Sequence, residues 1–473
     1  MKPMIALETA APASSARWAL AGLSLSMLLS SLGISIANVG LPTLAQAFNA
    51  SFQDVQWIVL AYLLAITTLI VSAGKLGDIA GRRRLLLAGI AAFTFASALC
   101  GLAPALGWLI AARALQGLGA AVMMALTMAF VAETVTKENT GRAMGLLGAM
   151  SAIGTALGPS LGGMLIAAFD WRAIFLVNVP LGILTFGLAW RHLSIDRIAT
   201  PARGRFDAVG TLLLALTLAA YALAMTIGCG NLGTLNIALL MAAVVGTGLF
   251  VFAETRAPSP LIRLTMFRDR FLSASLATSA LVSTVMMATL VIGPFYLSQA
   301  LGLDTARVGL VLSVGPLVVA LTGVPAGRIA DRFGAQRMTI AGLVIMVAGS
   351  FALSMLPETL GIPGYLAPLI VITVGYALFQ TANNTAVMSD VSADQRGVIS
   401  GLLNLSRNLG LVSGASVMGA VFALASAASD MTAASADAVA AGMRTTFLVA
   451  GILTTVAIAI AITGRATQDR TAQ

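Results

Sequence analysis

Apolar and polar positions alternate along this chain in long blocks. Fourteen mostly apolar stretches stand at roughly 18–41, 55–74, 85–104, 108–131, 142–168, 172–190, 207–227, 234–254, 272–299, 306–326, 338–356, 364–388, 397–425 and 443–464. A helix needs about 20 apolar residues to cross the hydrocarbon core of a bilayer. Each stretch therefore predicts one membrane span, and the chain reads as an all-α membrane protein with fourteen transmembrane helices. The stretches 207–227 and 234–254 stand or fall as a pair, because one alone would invert everything after it.

Composition agrees. Of the 473 residues, 59% are hydrophobic and 10% charged, against about 45–50% and 25% in soluble domains. The start, 1–17, is Ala/Pro/Ser-rich and leads straight into the first span, which predicts no cleavable signal. Cys100 and Cys229 end apolar segments, and their spacing implies no disulfide framework. The single histidine, His192, reads as an interfacial residue. The sequence offers no clustered metal ligands, no phosphate-cradling loop with its lysine and no nucleophile elbow, so neither an enzyme nor a cofactor is expected.

The net charge of +9 would suit nucleic acid if it formed one patch. Instead the basic residues fall between spans. With the N-terminus in the cytoplasm, Lys75, Arg82, Arg83, Arg84, Arg191, Arg203, Arg205, Arg256, Arg268, Arg332, Arg337 and Arg396 all lie inside, while Arg172, Arg307 and Arg444 lie outside. That asymmetry is the positive-inside rule. It predicts cytoplasmic termini and a bacterial inner-membrane protein. Trp18, Trp57, Trp108, Trp171 and Trp190 sit at segment ends, as interfacial residues do.

The chain also repeats itself. Gly74-Lys-Leu-Gly-Asp78-Ile-Ala-Gly81-Arg82-Arg-Arg84 returns as Gly327-Arg-Ile-Ala-Asp331-Arg-Phe-Gly334-Ala-Gln-Arg337, an offset of 253 (from 74 to 327). Gly145, Gly154 and Gly158 return as Gly401, Gly410 and Gly414, an offset of 256 (from 145 to 401). Two six-helix halves of like orientation explain both. The predicted organisation is a bundle over 1–190, a linker region over 191–271 carrying an extra helix pair at about 207–254, and a second bundle over 272–473.

Within 142–168 stand Gly145, Gly154, Gly158, Pro159, Gly162 and Gly163. Glycines let helices approach backbone to backbone, and proline removes a hydrogen bond and bends the helix. Close sliding of bent helices suits a rocking transporter. Asp78 stands at a helix junction where a carboxylate can cap a neighbouring helix and the arginines can bridge loops, so 74–84 and 327–337 are candidate gates. Arg113 lies inside a span, where a charge costs about 2.5–3.5 kcal/mol and needs a partner or a cavity. Gln380, Asn383, Asn384, Asn404, Arg407 and Asn408 are polar residues in two apolar segments. With Asn38, Tyr62, Gln116 and Asn178 in the first half, they are candidates for a substrate pathway.

These motifs resemble the major facilitator superfamily, and more narrowly its fourteen-helix drug:proton antiporter branch. The 74–84 loop is similar to the superfamily's hallmark loop. Arg113-Ala-Leu-Gln116-Gly117, the 145–163 glycines with Gly158-Pro159, Trp171-Arg172, Asn178-Val-Pro180 and Asn38-Val-Gly-Leu-Pro42 resemble branch motifs in the same order. The resemblance implies export of small amphipathic compounds by alternating access, proton-coupled, by a monomer in the lipid bilayer. It links the Arg113 position to proton transfer, although arginine does not titrate in proteins.

The branch often carries an acid in its first helix. Gly33 stands there instead, and no carboxylate lies plainly at mid-membrane. Glu133 and Asp390, at the inner ends of 108–131 and 364–388, are the remaining coupling candidates beside Arg113; solvated helix-end acids are their plainer reading. A cavity near Arg113 and Arg407 without an acid should suit neutral, zwitterionic or anionic amphiphiles. A dedicated metabolite exporter, or an organic-anion importer, stays open as an alternative.

Overall fold

A computed structural model describes residues 13–134, 137–193, 207–227, 233–257, 260, 264–355, 360–389, 396–426 and 435–471. Cys229 and Asp390 lie outside these. The backbones of Asp78, Glu133, Gly145 and Asp331 lie in helices, but their side-chain surroundings are outside what is described.

Fourteen helices among the described residues are long and apolar enough to span a bilayer. They are α1 (Ala13–Val39), α2 (Phe52–Ala80), α3 (Arg82–Gly101), α4 (Leu106–Thr134), α5 (Lys137–Ala168), α6 (Asn178–His192), α7 (Ala208–Thr226), α8 (Thr234–Arg256), α9 (Arg270–Phe295), α10 (Thr305–Phe333), α11 (Ala335–Ser354), α12 (Gly361–Ser389), α13 (Arg396–Ser413) and α14 (Ala436–Thr471). A short helix, Leu41–Phe48, links α1 to α2, and Ala173–Leu176 precedes α6 and completes its span, Ala173–His192. π turns continue α9 over Tyr296–Ala300 and α13 over Gly414–Met418. No strand occurs among the described residues.

The two halves pack alike. In the first, α1 lies against α5 and α6, α4 against α2 and α3, and α3 against α6. In the second, α9 lies against α13 and α14, α12 against α10 and α11, and α11 against α14. Glycines set the matching contacts. A Cβ on Gly119 would sit 2.7 Å from the Gly89 oxygen, and one on Gly342 would sit 2.7 Å from the Gly375 oxygen. At the helix junctions Gly81 and Gly334 take φ of 93° and 91°, conformations that suit glycine alone. Each donates its N–H four residues back at 2.9 Å, to Gly77 and Ala330. The repeated loop therefore ends in glycine because its backbone turns there.

The extra pair covers one seam between the halves. α7 packs on α2 and on the π turn after α13. Trp57 Nε1 donates to Thr226 Oγ1 at 3.1 Å, Ser72 and Thr211 hydroxyls lie 3.0 Å apart, and Tyr221 bonds Ser413 at 3.1 Å. α8 turns Leu235, Ile237, Met241, Val244, Leu249 and Phe252 outward, the composition of a lipid-facing surface. Two tryptophans depart from the interfacial expectation. Trp171 is buried against Phe48 and Phe175, and Trp57 is half-buried with its N–H on α7. Both rings anchor helix ends to other helices instead of to lipid headgroups. His192 ends α6 stacked on Trp18.

Candidate functional site

The largest apolar core joins both halves, and its first-half members cluster toward the face that carries Phe52, Ala103 and Trp171. Toward the arginine-rich face, separate cores serve the first half and the second half with α7 and α8. The halves therefore meet tightly on one side. Phe52 meets Phe295 and Phe422 edge-on, with centroids 4.7 and 5.4 Å away. A Cβ on Gly163 would stand 2.6 Å from the Thr305 oxygen, and one on Gly309 would stand 2.3 Å from the Pro159 oxygen. Thus α5 and α10 touch backbone to backbone near that face. Toward the basic face they part, and nothing lies within 4 Å of a Cβ built on Gly148 or Gly323.

Between them lies a cavity of about 250 Å³ walled by α5, α9, α10, α12 and α13. Ser151, Thr155, Ser283, Met286, Leu290, Leu312, Pro316, Tyr376, Gln380, Arg407 and Leu411 line it. Among the described residues its wall holds one charge, Arg407, and no carboxylate. Among the sequence-predicted pathway residues, Gln380 and Arg407 reach it. Asn383 is buried beside Ser275, while Asn384 and Asn404 are half-buried and off its wall.

Asn38, Tyr62, Gln116 and Asn178 are fully buried in the first half and do not line the cavity. Asn38 and Asn178 donate to carbonyls of their own helical turns. Tyr62 and Gln116 surround Arg113, which is itself fully buried. Arg113 Nε donates to the Ile58 oxygen at 2.9 Å, Nη1 to Gln116 Oε1 at 2.5 Å and Nη2 to the Gly33 oxygen at 3.0 Å. Gln116 Nε2 in turn donates to Ser97 at 2.7 Å, and the guanidinium lies 4.1 Å over the Tyr62 ring. Arg113 is held by neutral acceptors on α1, α2 and α4, sealed away from the cavity that the sequence placed beside it.

Gly33 explains how. The space where its Cβ would be is taken by Tyr62, whose hydroxyl would lie 2.7 Å away and donates to the Ser30 oxygen at 2.9 Å. An acid at 33 cannot share that space with the phenol. Gly33→Ala should therefore overpack the site and cost about 1–3 kcal/mol, read as thermal unfolding in detergent. Adding Tyr62→Phe should return part of that loss, giving a coupling of at least ~0.5 kcal/mol. Additive effects of the two changes would show that the phenol yields freely.

The glycines of α5 divide by neighbour. A Cβ on Gly154 would lie 2.4 Å from the Leu28 oxygen, on Gly158 1.9 Å from Ser35 Oγ, and on Gly162 2.8 Å from Val39, all on α1 or its end. Gly163 alone of these faces α10. Pro159 lies inside α5. In the candidate gates, Gly74 and Gly327 sit in loosely filled surroundings, Arg82, Arg83 and Arg84 open α3, and Arg337 is exposed in the first turn of α11. Arg83 Nη2 donates to the Trp190 oxygen, tying that loop to the end of α6.

Comparison with known proteins places this architecture. The family model described as Major Facilitator Superfamily matches residues 23–415. The multidrug resistance protein Stp of Mycobacterium tuberculosis is 33% identical over 405 residues, covering 85% of this chain and 74% of Stp. The riboflavin transporter RibZ of Clostridioides difficile is 29% identical over 397 residues, covering 84% of this chain and 86% of RibZ. Among solved structures, a bacterial homologue of the human lysosomal transporter Spinster, in an inward-facing and unoccupied conformation, superposes with a TM-score of 0.72 at 15% identity, covering 97% of this chain and 98% of that one. With the repeated halves, the fourteen spans and a family match over most of its length, the chain belongs to the major facilitator superfamily.

Proposed function

We propose that this protein is a secondary transporter that exports small amphipathic compounds from a bacterial cytoplasm by alternating access, coupled to the proton gradient. The observation that carries the reading is the cavity between α5, α9, α10, α12 and α13, sealed at one face and parted at the other. The positive-inside rule supports a cytoplasmic position for the parted face and both termini. The bundles 1–190 and 272–473 rock about the cavity as a monomer, and 191–271 carries the extra pair. The name of a relative 30% identical, the multidrug efflux pump LfrA of Mycolicibacterium smegmatis, supports the direction of transport.

The loops 74–84 and 327–337 latch the cytoplasmic side when the other face opens. Arginine keeps its proton, so neither Arg113 nor Arg407 carries the coupled proton, and Glu133 and Asp390 remain the candidate carriers. A second reading, a dedicated exporter of one neutral, zwitterionic or anionic metabolite, or an organic-anion importer, is favoured by the cavity's lack of a carboxylate.

Purified protein in proteoliposomes with an imposed pH gradient tests the reading. Uptake of fluorescent amphiphiles should fall at least about fivefold when a protonophore collapses the gradient, a loss of ~1 kcal/mol of drive or more. Asp78→Ala should slow it comparably. Transport indifferent to the protonophore would remove the proton from the mechanism.

A further inference from the structure

We infer that Arg407 selects the substrate: it receives the anionic head group of an amphiphile whose apolar body lies along Met286, Leu290, Leu312 and Leu411. This rests on the export reading above and deepens it by naming the substrate's charge.

Two arginines inside spans, Arg113 off the cavity and Arg407 on its wall, are in opposite states. Arg113 spends Nε, Nη1 and Nη2 on three fixed acceptors and is fully buried. Arg407 is half-buried, lines the cavity, and makes no hydrogen bond or ion pair with any described residue. A guanidinium in an apolar helix environment needs an acceptor. Its five donors in a planar fork match a carboxylate, sulfonate or phosphate better than a point charge would. One further cavity hydroxyl can donate to an anion: Ser283 Oγ is buried with no partner among the described residues. Four other cavity hydroxyls are already engaged: Thr155 donates to the Ser151 oxygen, Thr289 to the Met286 oxygen and Thr373 to the Leu369 oxygen, and Ser151 pairs with Ser31 on α1.

The apolar wall supplies the rest of the contact. No carboxylate among the described residues lines the cavity to draw in a cation or to neutralise Arg407 internally. A dication would meet an unscreened positive charge, and a neutral amphiphile would leave the guanidinium unmatched. An amphiphile with one anionic end satisfies both halves of the site.

Three probes of similar size separate the charges: 1-anilinonaphthalene-8-sulfonate, its neutral analogue N-phenyl-1-naphthylamine, and ethidium. Transport of each is measured in proteoliposomes under one imposed gradient. The wild type should move the sulfonate at least about tenfold faster than ethidium. Arg407→Gln should lower the sulfonate-to-naphthylamine rate ratio about tenfold, and Arg407→Lys should lower it less. In detergent, the sulfonate should raise the wild-type unfolding temperature more than the naphthylamine does. This reading does not depend on whether a variant folds.

Ethidium moved faster than the sulfonate, equal thermal protection by both naphthalenes, or an unchanged ratio in a folded Arg407→Gln would each overturn the inference and leave export standing. If none of the three probes moved, the export reading itself would fail.

Discussion

Gly309→Val is expected to abolish transport while leaving the protein folded. Gly309 lies on α10 where it crosses α5, and a Cβ there would sit 2.3 Å from the Pro159 oxygen and 3.1 Å from Gly163 Cα. Backbone cannot swing aside as a side chain can, so the two helices would have to part. The contact joins one half to the other, and in the rocking mechanism proposed above it is made only when the face carrying Phe52 is sealed. A residue that forbids it penalises that one state. A penalty of ~3 kcal/mol or more shifts the equilibrium between the two states at least about 100-fold. Transport, which must visit both, should fall by a like factor. Spin labels at the exposed positions 169 and 307 should report a longer distance across the sealed face.

Gly158→Val is the contrast. Its Cβ would sit 1.9 Å from Ser35 Oγ on α1, inside the first half. That contact persists in every state of a rocking bundle, so the damage should appear as lost thermal stability, about 1–3 kcal/mol by overpacking. If Gly309→Val destabilised as much as Gly158→Val and left the label distance unchanged, the α5–α10 seam would be fixed packing and no moving joint.

The sequence made the architecture readable because bilayer physics is written in block lengths. All fourteen spans were visible as apolar stretches, including 207–227 and 234–254, found as Ala208–Thr226 and Thr234–Arg256. The repeat was visible because Gly81 and Gly334 occupy backbone conformations that other residues avoid. What lay hidden was which way each polar residue faces. Asn38, Tyr62, Gln116 and Asn178 are as polar as Gln380, yet they close on their own half. Facing depends on long-range packing that no local pattern encodes. The division of the α5 glycines was equally silent: Gly162 and Gly163 are neighbours, and one serves α1 while the other serves α10. One signal for the arginine site was present. With Gly33 where the branch often has an acid, a buried Arg113 had to find neutral acceptors, and three lay within reach.

Arg113 carries the second large effect. Its substitution by alanine is expected to cost stability before it costs transport chemistry. Three acceptors on three helices converge on one guanidinium: the Gly33 oxygen on α1, the Ile58 oxygen on α2 and Gln116 Oε1 on α4. Removing the side chain leaves these oxygens in a dry interior, each orphaned acceptor costing about 1–3 kcal/mol. It also opens a hole under the Tyr62 ring, now 4.1 Å from the guanidinium carbon. The sum should exceed ~3 kcal/mol even with partial collapse, and should show as a large drop in the unfolding temperature of the purified protein.

Arg113→Lys separates charge from geometry. An ammonium keeps the charge but cannot span acceptors fixed on three helices, so it should recover less than half of the loss. If lysine restored full stability and transport, charge alone would be the requirement, and the fork of hydrogen bonds would be incidental. If alanine left the unfolding temperature unchanged, Arg113 would be no part of the clamp between α1, α2 and α4. The two arginines then make a matched test. Arg113 should move stability and spare the ratio between charged and neutral substrates, because it lies off the cavity wall. Arg407 should move the ratio and spare stability, because it has no bonded partner among the described residues to lose.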